Sequence, residues 1–76
     1  MSYEQLDRLL RELDFAQERV EPHWLRYQHL GTDTEIILKE KPKSASVRPT
    51  DVWSVREHLI RKGLVTEEDL NLLLQQ

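Results

Sequence analysis

The 76-residue sequence has no cysteine, only two glycines and three prolines, and no long uninterrupted apolar run. Without cysteine there is no disulfide framework and no thiolate nucleophile or metal ligand. A membrane-crossing helix needs about 20 consecutive, predominantly apolar residues, so we expect no membrane partner. The start of the sequence also lacks the basic-then-apolar order of a secretory signal. These absences predict a cytoplasmic protein.

Few glycines and prolines leave little room for flexible linkers, and 38% hydrophobic with 33% charged residues is typical of a folded domain. We expect one domain over residues 1–76, near the lower size limit for a self-sufficient core. The net charge of −3 argues against a protein that coats nucleic acid non-specifically. The charge is uneven, however, because residues 26–48 hold five lysines and arginines against three acidic residues. This basic middle permits local contacts with phosphate groups.

A first helix is predicted from apolar side chains at helical spacing, namely Tyr3, Leu6, Leu9, Leu10 and Leu13. Ser2 is a suitable N-cap, and Gln5 three positions later would complete a capping box. The stretch from residue 15 to residue 20 fits either an extension of this helix or a first strand. Periodicity does not decide between the two.

A β-hairpin is predicted over residues 20–39. Pro22 prevents a helix from running into this segment, and Gly31 and Asp33 mark a turn before a strand rich in β-branched residues. Residues 20–29 alternate with period two. This alternation would divide their side chains between two faces, with His23, Leu25, Tyr27 and His29 on one and Trp24, Arg26 and Gln28 on the other.

After a polar loop over residues 40–44, a second helix is predicted, with Thr50 as N-cap and Gly63 as the C-terminal cap. Thr66 would begin a short third helix whose leucines fold back over the core. The buried face of the second helix would contain Val52, Trp53, Val55, Leu59 and Ile60. The order of elements predicts an α+β fold with a two-layer α-β-β-β-α arrangement, in which a small antiparallel sheet has helices on one face.

This order and several short motifs resemble the HicA family of small mRNA interferase toxins. The resemblance is carried by Leu9 to Phe15 with Arg19, by Pro22 to His29, and by Arg48-Pro49-Thr50 with Gly63 to Glu68. It implies a fold similar to a double-stranded-RNA-binding domain and metal-free RNA cleavage without a cofactor. It also implies a HicB-type antitoxin as the partner that covers the open sheet face. The acidic composition departs from this family, whose members are usually basic.

The resemblance places the catalytic histidine in one of two ways. The family's strand carries Gly-Ser-His ahead of an aromatic residue and a second histidine. An ungapped alignment on Tyr27 and His29 puts Trp24 at the catalytic position and His23 at that of the serine, whereas a one-residue shift makes His23 catalytic. Because side chains alternate along a strand, this shift also changes the sheet face of the imidazole. His23 is the catalytic candidate.

In this interpretation His23 would remove a proton from a ribose 2′-hydroxyl, while a cation neutralises the charge that develops on the adjacent phosphate. Two aromatic rings would stack on bases, those of Trp24 and Tyr27. Four cations would contact phosphates, namely Arg26, Lys39, Lys41 and Lys43. The three lysines are equally well explained as protection of an exposed edge strand against aggregation. No histidine or carboxylate spacing indicates a metal site.

A second interpretation is a non-catalytic interaction module on the same scaffold, which binds a protein partner or forms a homodimer through the open sheet face. It is favoured by Trp24 at the family's histidine position and by the net negative charge. A winged-helix DNA-binding protein is disfavoured, because residues 50–62 offer only three cations and no helix–turn–helix pair precedes them.

Overall fold

The structure, a computed structural model, describes residues 1–74. The chain forms α1 (Tyr3–Glu12), β1 (Ala16–Val20), β2 (Trp24–His29), β3 (Thr34–Lys39), α2 (Pro49–Arg61) and α3 (Glu67–Leu74). The strands make one antiparallel sheet in the order β1-β2-β3, so that β2 is central. The helices pack on one face of this sheet and leave the other face open. The predicted α+β arrangement is therefore confirmed.

The start of α1 is fixed by a capping box and by the loop that follows β3. The Ser2 hydroxyl accepts a hydrogen bond from the Gln5 amide at 3.2 Å, and the Gln5 side chain accepts one from the Ser2 amide at 2.8 Å. The amides of the first two helical residues donate to the carbonyls of Ala45 and Lys43, both at 3.0 Å. This loop therefore satisfies donors that a helix N-terminus leaves without partners. It also holds the start of α1 against residues 43–47.

Residues 16–20 form a strand and do not extend α1. The helix stops because Asp14 adopts a φ of +69°, a left-handed conformation that a right-handed helix cannot continue. Aspartate tolerates this conformation better than most residues. Phe15 is then buried in the core, and the alternative that the sequence left open is decided in favour of the strand.

The hydrophobic core lies between the inner face of the sheet and the helices. Leu70 of α3 is fully buried, so the predicted return of the third helix over the core is confirmed. Burial of one leucine side chain stabilises a protein by about 1.5–3 kcal/mol, which is substantial for a domain this small. The buried core residues are Leu6, Leu9, Leu10, Phe15, Tyr27, Ile36, Leu38, Val55, Leu59 and Leu70.

The N-terminal end of α2 differs from the prediction. Its N-cap is Arg48 and a proline occupies the first turn, so Thr50 lies inside the helix. Proline is favoured there because its fixed φ suits a helix. In addition, the N–H that proline lacks would have no hydrogen-bond partner within the first turn of a helix. Asp51 is buried and accepts a 2.6 Å hydrogen bond from the Tyr3 hydroxyl. Trp53, predicted to widen the buried face, is 64% exposed.

The C-terminal cap of α2 is as predicted. Lys62 is the C-cap, and Gly63 follows with a φ of +69°. The Gly63 amide donates to the carbonyl of Ile60, and the next amide donates to that of Leu59. Glycine adopts a positive φ at no steric cost, whereas other residues are strained there.

We expect Gly63→Ala to lower the free energy of unfolding by about 1 kcal/mol, measured by urea denaturation. Nothing lies within 4 Å of a Cβ added at this position, so the loss would come from backbone strain and not from a clash. Lys62→Ala is the matched control, because Lys62 is exposed and has a φ of −88°. Its effect should stay within about 0.5 kcal/mol, and equal effects of the two changes would contradict the explanation.

Candidate functional site

His23 lies in the turn between β1 and β2, just before the first residue of β2. The peptide bond between Glu21 and Pro22 in this turn is cis. The His23 carbonyl accepts a 2.8 Å hydrogen bond from the Glu40 amide, which continues the pairing of β2 with β3 by one residue. His23 is exposed, so its imidazole is accessible to a ligand at this end of the sheet.

Three of the predicted cations lie at the end of β3 and in the loop that follows it. Lys39 ends β3, and Lys41 and Lys43 follow in the loop that contacts the start of α1. Within residues 1–74, no carboxylate lies within 4.0 Å of any of these three ammonium groups. Glu40, which lies between them in the sequence, pairs with Arg19. This end of the sheet therefore carries a local positive charge on a net acidic chain.

Trp24 and Arg26 lie on the open face of the sheet. Trp24 is opposite Lys39 in the register and is 42% exposed. Arg26 pairs with Glu18 on β1 and with Glu35 on β3. The hydrogen bond with Glu18, and then the charge of its carboxylate, raise the pKa of the Arg26 guanidinium. Two carboxylates therefore already balance the charge of Arg26, which distinguishes it from the three lysines.

Tyr27 lies on the inner face of the sheet, and this corrects its predicted role. The residue is only 3% exposed, so its ring has no free face on which a base could stack. Its hydroxyl donates to Asp7 Oδ1 at 2.7 Å and accepts from Gln17 Nε2 at 2.9 Å. Burial, and then the hydrogen bond to Asp7, raise the pKa of Tyr27 to about 12. Tyr27 joins β2 to α1 and is not available for base stacking.

The other two histidines are held by local structure. His29 Nδ1 accepts a 3.2 Å hydrogen bond from the Thr32 amide, and the ring lies 5.3 Å from that of Phe15. His58 Nδ1 donates to the Ser54 carbonyl at 2.7 Å. In the part of the chain that the structure describes, no group of three histidine or carboxylate side chains is arranged to hold a metal ion.

A groove of about 380 Å³ lies between α1 and the inner face of the sheet, beside the lysine loop, which is the loop over residues 40–44 that carries Lys41 and Lys43. Its polar wall is formed by Tyr27, Asp7 and Gln17, and Gln17 Nε2 also donates to Asp7 Oδ1 at 2.8 Å. Lys41 and Lys43 are on its border, and its apolar lining includes Leu6, Leu25 and Leu38. Sequence reasoning missed Asp7 and Gln17, because Gln17 faces Tyr27 only once residues 16–20 are known to be a strand.

Comparison with known proteins gives no match. No family model matches the sequence, and neither a curated protein nor a solved structure is significantly similar to it. None of the helices within residues 1–74 is long and apolar enough to cross a membrane. A function is therefore inferred from the geometry of residues 1–74.

We expect the protein to lose stability between pH 10 and pH 12 through Tyr27. Since its pKa rises from 10.0 to about 12 on folding, the neutral hydroxyl stabilises the fold fully below pH 10, and this contribution is lost as the pH approaches 12. Tyr27→Phe should cost about 1–3 kcal/mol at pH 7 because Asp7 loses a donor. In urea denaturation, the free energy of unfolding of this variant should also fall less between pH 10 and pH 12 than that of the native protein. An identical fall in both proteins would contradict this assignment.

Proposed function

We propose that this protein binds and cleaves RNA at the end of its sheet, as a HicA-like toxin would, with His23 as general base and Lys39, Lys41 and Lys43 as phosphate ligands. The hydrogen bond between the His23 carbonyl and the Glu40 amide carries the proposal. It puts the backbone of the exposed residue His23 beside the loop whose lysines have no carboxylate partner among residues 1–74.

The proposed reaction needs few protein groups, because RNA supplies its own nucleophile. His23 takes the proton of a ribose 2′-hydroxyl, and the oxygen attacks the adjacent phosphorus. The bond to the 5′-oxygen breaks, and that oxygen takes a proton from the imidazolium or from water. The products are a 2′,3′-cyclic phosphate and a 5′-hydroxyl. Lysine ammonium groups stabilise the charge on the phosphoryl oxygens, a role for which the lysines are better suited than the doubly paired Arg26.

Trp24 supports the binding of a single strand. Its indole lies next to His23 in the sequence and opposite Lys39 in the register. A base stacked on an exposed aromatic ring contributes about 1–3 kcal/mol to binding, largely independently of sequence. A base on Trp24 would leave its phosphate close to the Lys39 side of the site.

We expect His23→Ala to abolish cleavage of an unstructured RNA oligonucleotide in the presence of a chelator, while RNA binding is retained. Products are separated on a denaturing gel, and their ends are identified as cyclic phosphate and 5′-hydroxyl. His58→Ala is the matched control, because this ring is bonded within α2 and should not affect cleavage. Equal cleavage by the native protein and His23→Ala would exclude His23 from the mechanism. Failure of the native protein to cleave would remove the catalytic part of the proposal.

RNA binding should weaken with salt in a way that depends on the lysines. For a single strand, each neutralised phosphate contributes about 0.7 to the slope of log affinity against log salt. Replacement of Lys39, Lys41 and Lys43 by alanine should therefore reduce the slope by about 2, as measured by fluorescence anisotropy. Lys62→Ala, at the far end of α2, should leave the slope unchanged. An unchanged slope in the triple variant would exclude the loop as the phosphate site.

A partner-binding module is the second candidate, and it is favoured by apolar side chains on the open face. Val20, Trp24 and Ile37 are 38%, 42% and 52% exposed, and the strand register puts them on the same side of the sheet. A HicB-type antitoxin or a second copy of the chain would cover them. A salt-insensitive complex with protein, together with no RNA retention at low ionic strength, would favour this candidate over the first.

A further inference from the structure

The groove between α1 and the sheet has no role in the cleavage step, although it opens beside the residues that carry that step. We infer that this groove is a pocket for one nucleobase of the bound RNA, which holds the strand so that its next ribose and phosphate lie at His23. The inference rests on the proposed RNA function. The volume of the groove, about 380 Å³, is in the range of about 300–1,000 Å³ that is usual for sites of small organic ligands.

The charges around the groove favour a ligand that is apolar in its body and negative at one end. Each acidic residue that lines it is already paired, because Glu4 faces Arg8 at 4.0 Å, Asp7 faces Arg11 at 2.8 Å, and Glu40 pairs with Arg19. Lys39, Lys41 and Lys43 line it without such a partner among residues 1–74. The border therefore has an excess of positive charge beside an apolar lining. A nucleotide, with a flat base and a phosphate, matches this combination.

The polar wall has groups to recognise the edge of a base. Gln17 Nε2 is held by Asp7 and by the Tyr27 hydroxyl at 2.8 and 2.9 Å, which leaves the Gln17 amide oxygen as an acceptor. Arg11 uses Nε for Asp7 at 2.8 Å, which leaves its terminal nitrogens as donors. Neither group is bonded to another residue in the described part of the chain. Bases in single strands are recognised by such acceptors and donors together with apolar contacts.

The pocket is joined to the proposed reaction site through the backbone. Leu25 lines the groove and lies two residues after His23, and Glu40 lines it while donating to the His23 carbonyl at 2.8 Å. A base held in the groove would place its phosphate at the lysine loop and the following nucleotide at the turn. Gln17 is accordingly a positioning residue, and it acts on the reaction only through the strand that it holds.

The test uses the full chain and a 2′-O-methyl RNA hexamer, which lacks the nucleophilic hydroxyl and cannot be cleaved. Gln17→Leu removes the amide and should weaken binding about fivefold, as expected for the loss of one hydrogen bond. Gln28→Leu is the matched control, because Gln28 lies opposite Ala16 on the open face, and it should bind as the native protein does. Arg11→Ala, on the exposed surface of α1, gives a second variant should Gln17→Leu not fold. A hexamer of the same length with abasic sugars should bind weakly and should not distinguish Gln17→Leu from the native protein.

Three results would overturn the inference, and they differ in what else they affect. RNA binding that is equal in the native protein and in both groove variants would reject the base pocket and leave the proposed function intact. An acidic peptide of equal charge serves as a competitor. If the peptide displaces the hexamer from the native protein, and if the abasic hexamer binds as tightly as the complete one, the groove would be assigned to peptides. No binding of either hexamer at low salt would reject the proposed function itself, and the pocket with it.

Discussion

The hydrogen bond from Tyr27 to Asp7 connects the centre of the sheet to the middle of α1, and the arrangement of the two layers depends on it. The donor is almost wholly buried and lies 2.7 Å from its acceptor. A buried polar group that loses its partner costs about 1–3 kcal/mol, a large share of the stability of a domain with 76 residues. The bond links α1 to β2 while the leucines of α1 fill the core, and the polar network around it forms one wall of the groove.

Local patterns in the sequence were enough to predict the elements, but not the surroundings of each side chain. The apolar spacing of α1 and its capping box are properties of a few neighbouring residues, so they were predicted correctly. The strand at residues 16–20 depends on the left-handed Asp14, which the sequence does not reveal. Thr50 was the wrong cap because Arg48 already precedes a proline that suits the first helical turn. Trp53 was expected in the core, yet Asp51 occupies a buried position through its bond with Tyr3.

Alternation along β2 correctly separated Trp24 from Tyr27, but it did not show which face the helices cover. For this reason both rings were expected to stack on RNA, although side chains of opposite parity cannot share a face. The register of β2 with β3 pairs Trp24 with Lys39, and it brings His23 beside a loop that is distant in sequence. Predicting that His23 lies beside this loop requires the length of the turn between β2 and β3, which sets the register of the two strands. The groove residues Asp7 and Gln17 come from two elements, and only the packing of α1 on the sheet brings them together.

RNA binding at the end of the sheet is tested most directly by following the backbone amide signals of the isotope-labelled protein while an uncleavable RNA oligonucleotide is added. The largest changes are expected in residues 23–25, 39–41 and 43, and smaller changes around Gln17. The centre of the open face at Glu18 and Ile37, and the outer face of α2 at Trp53, should change little. Changes concentrated at the centre of the open face or on α2 would show that RNA does not bind at the end of the sheet.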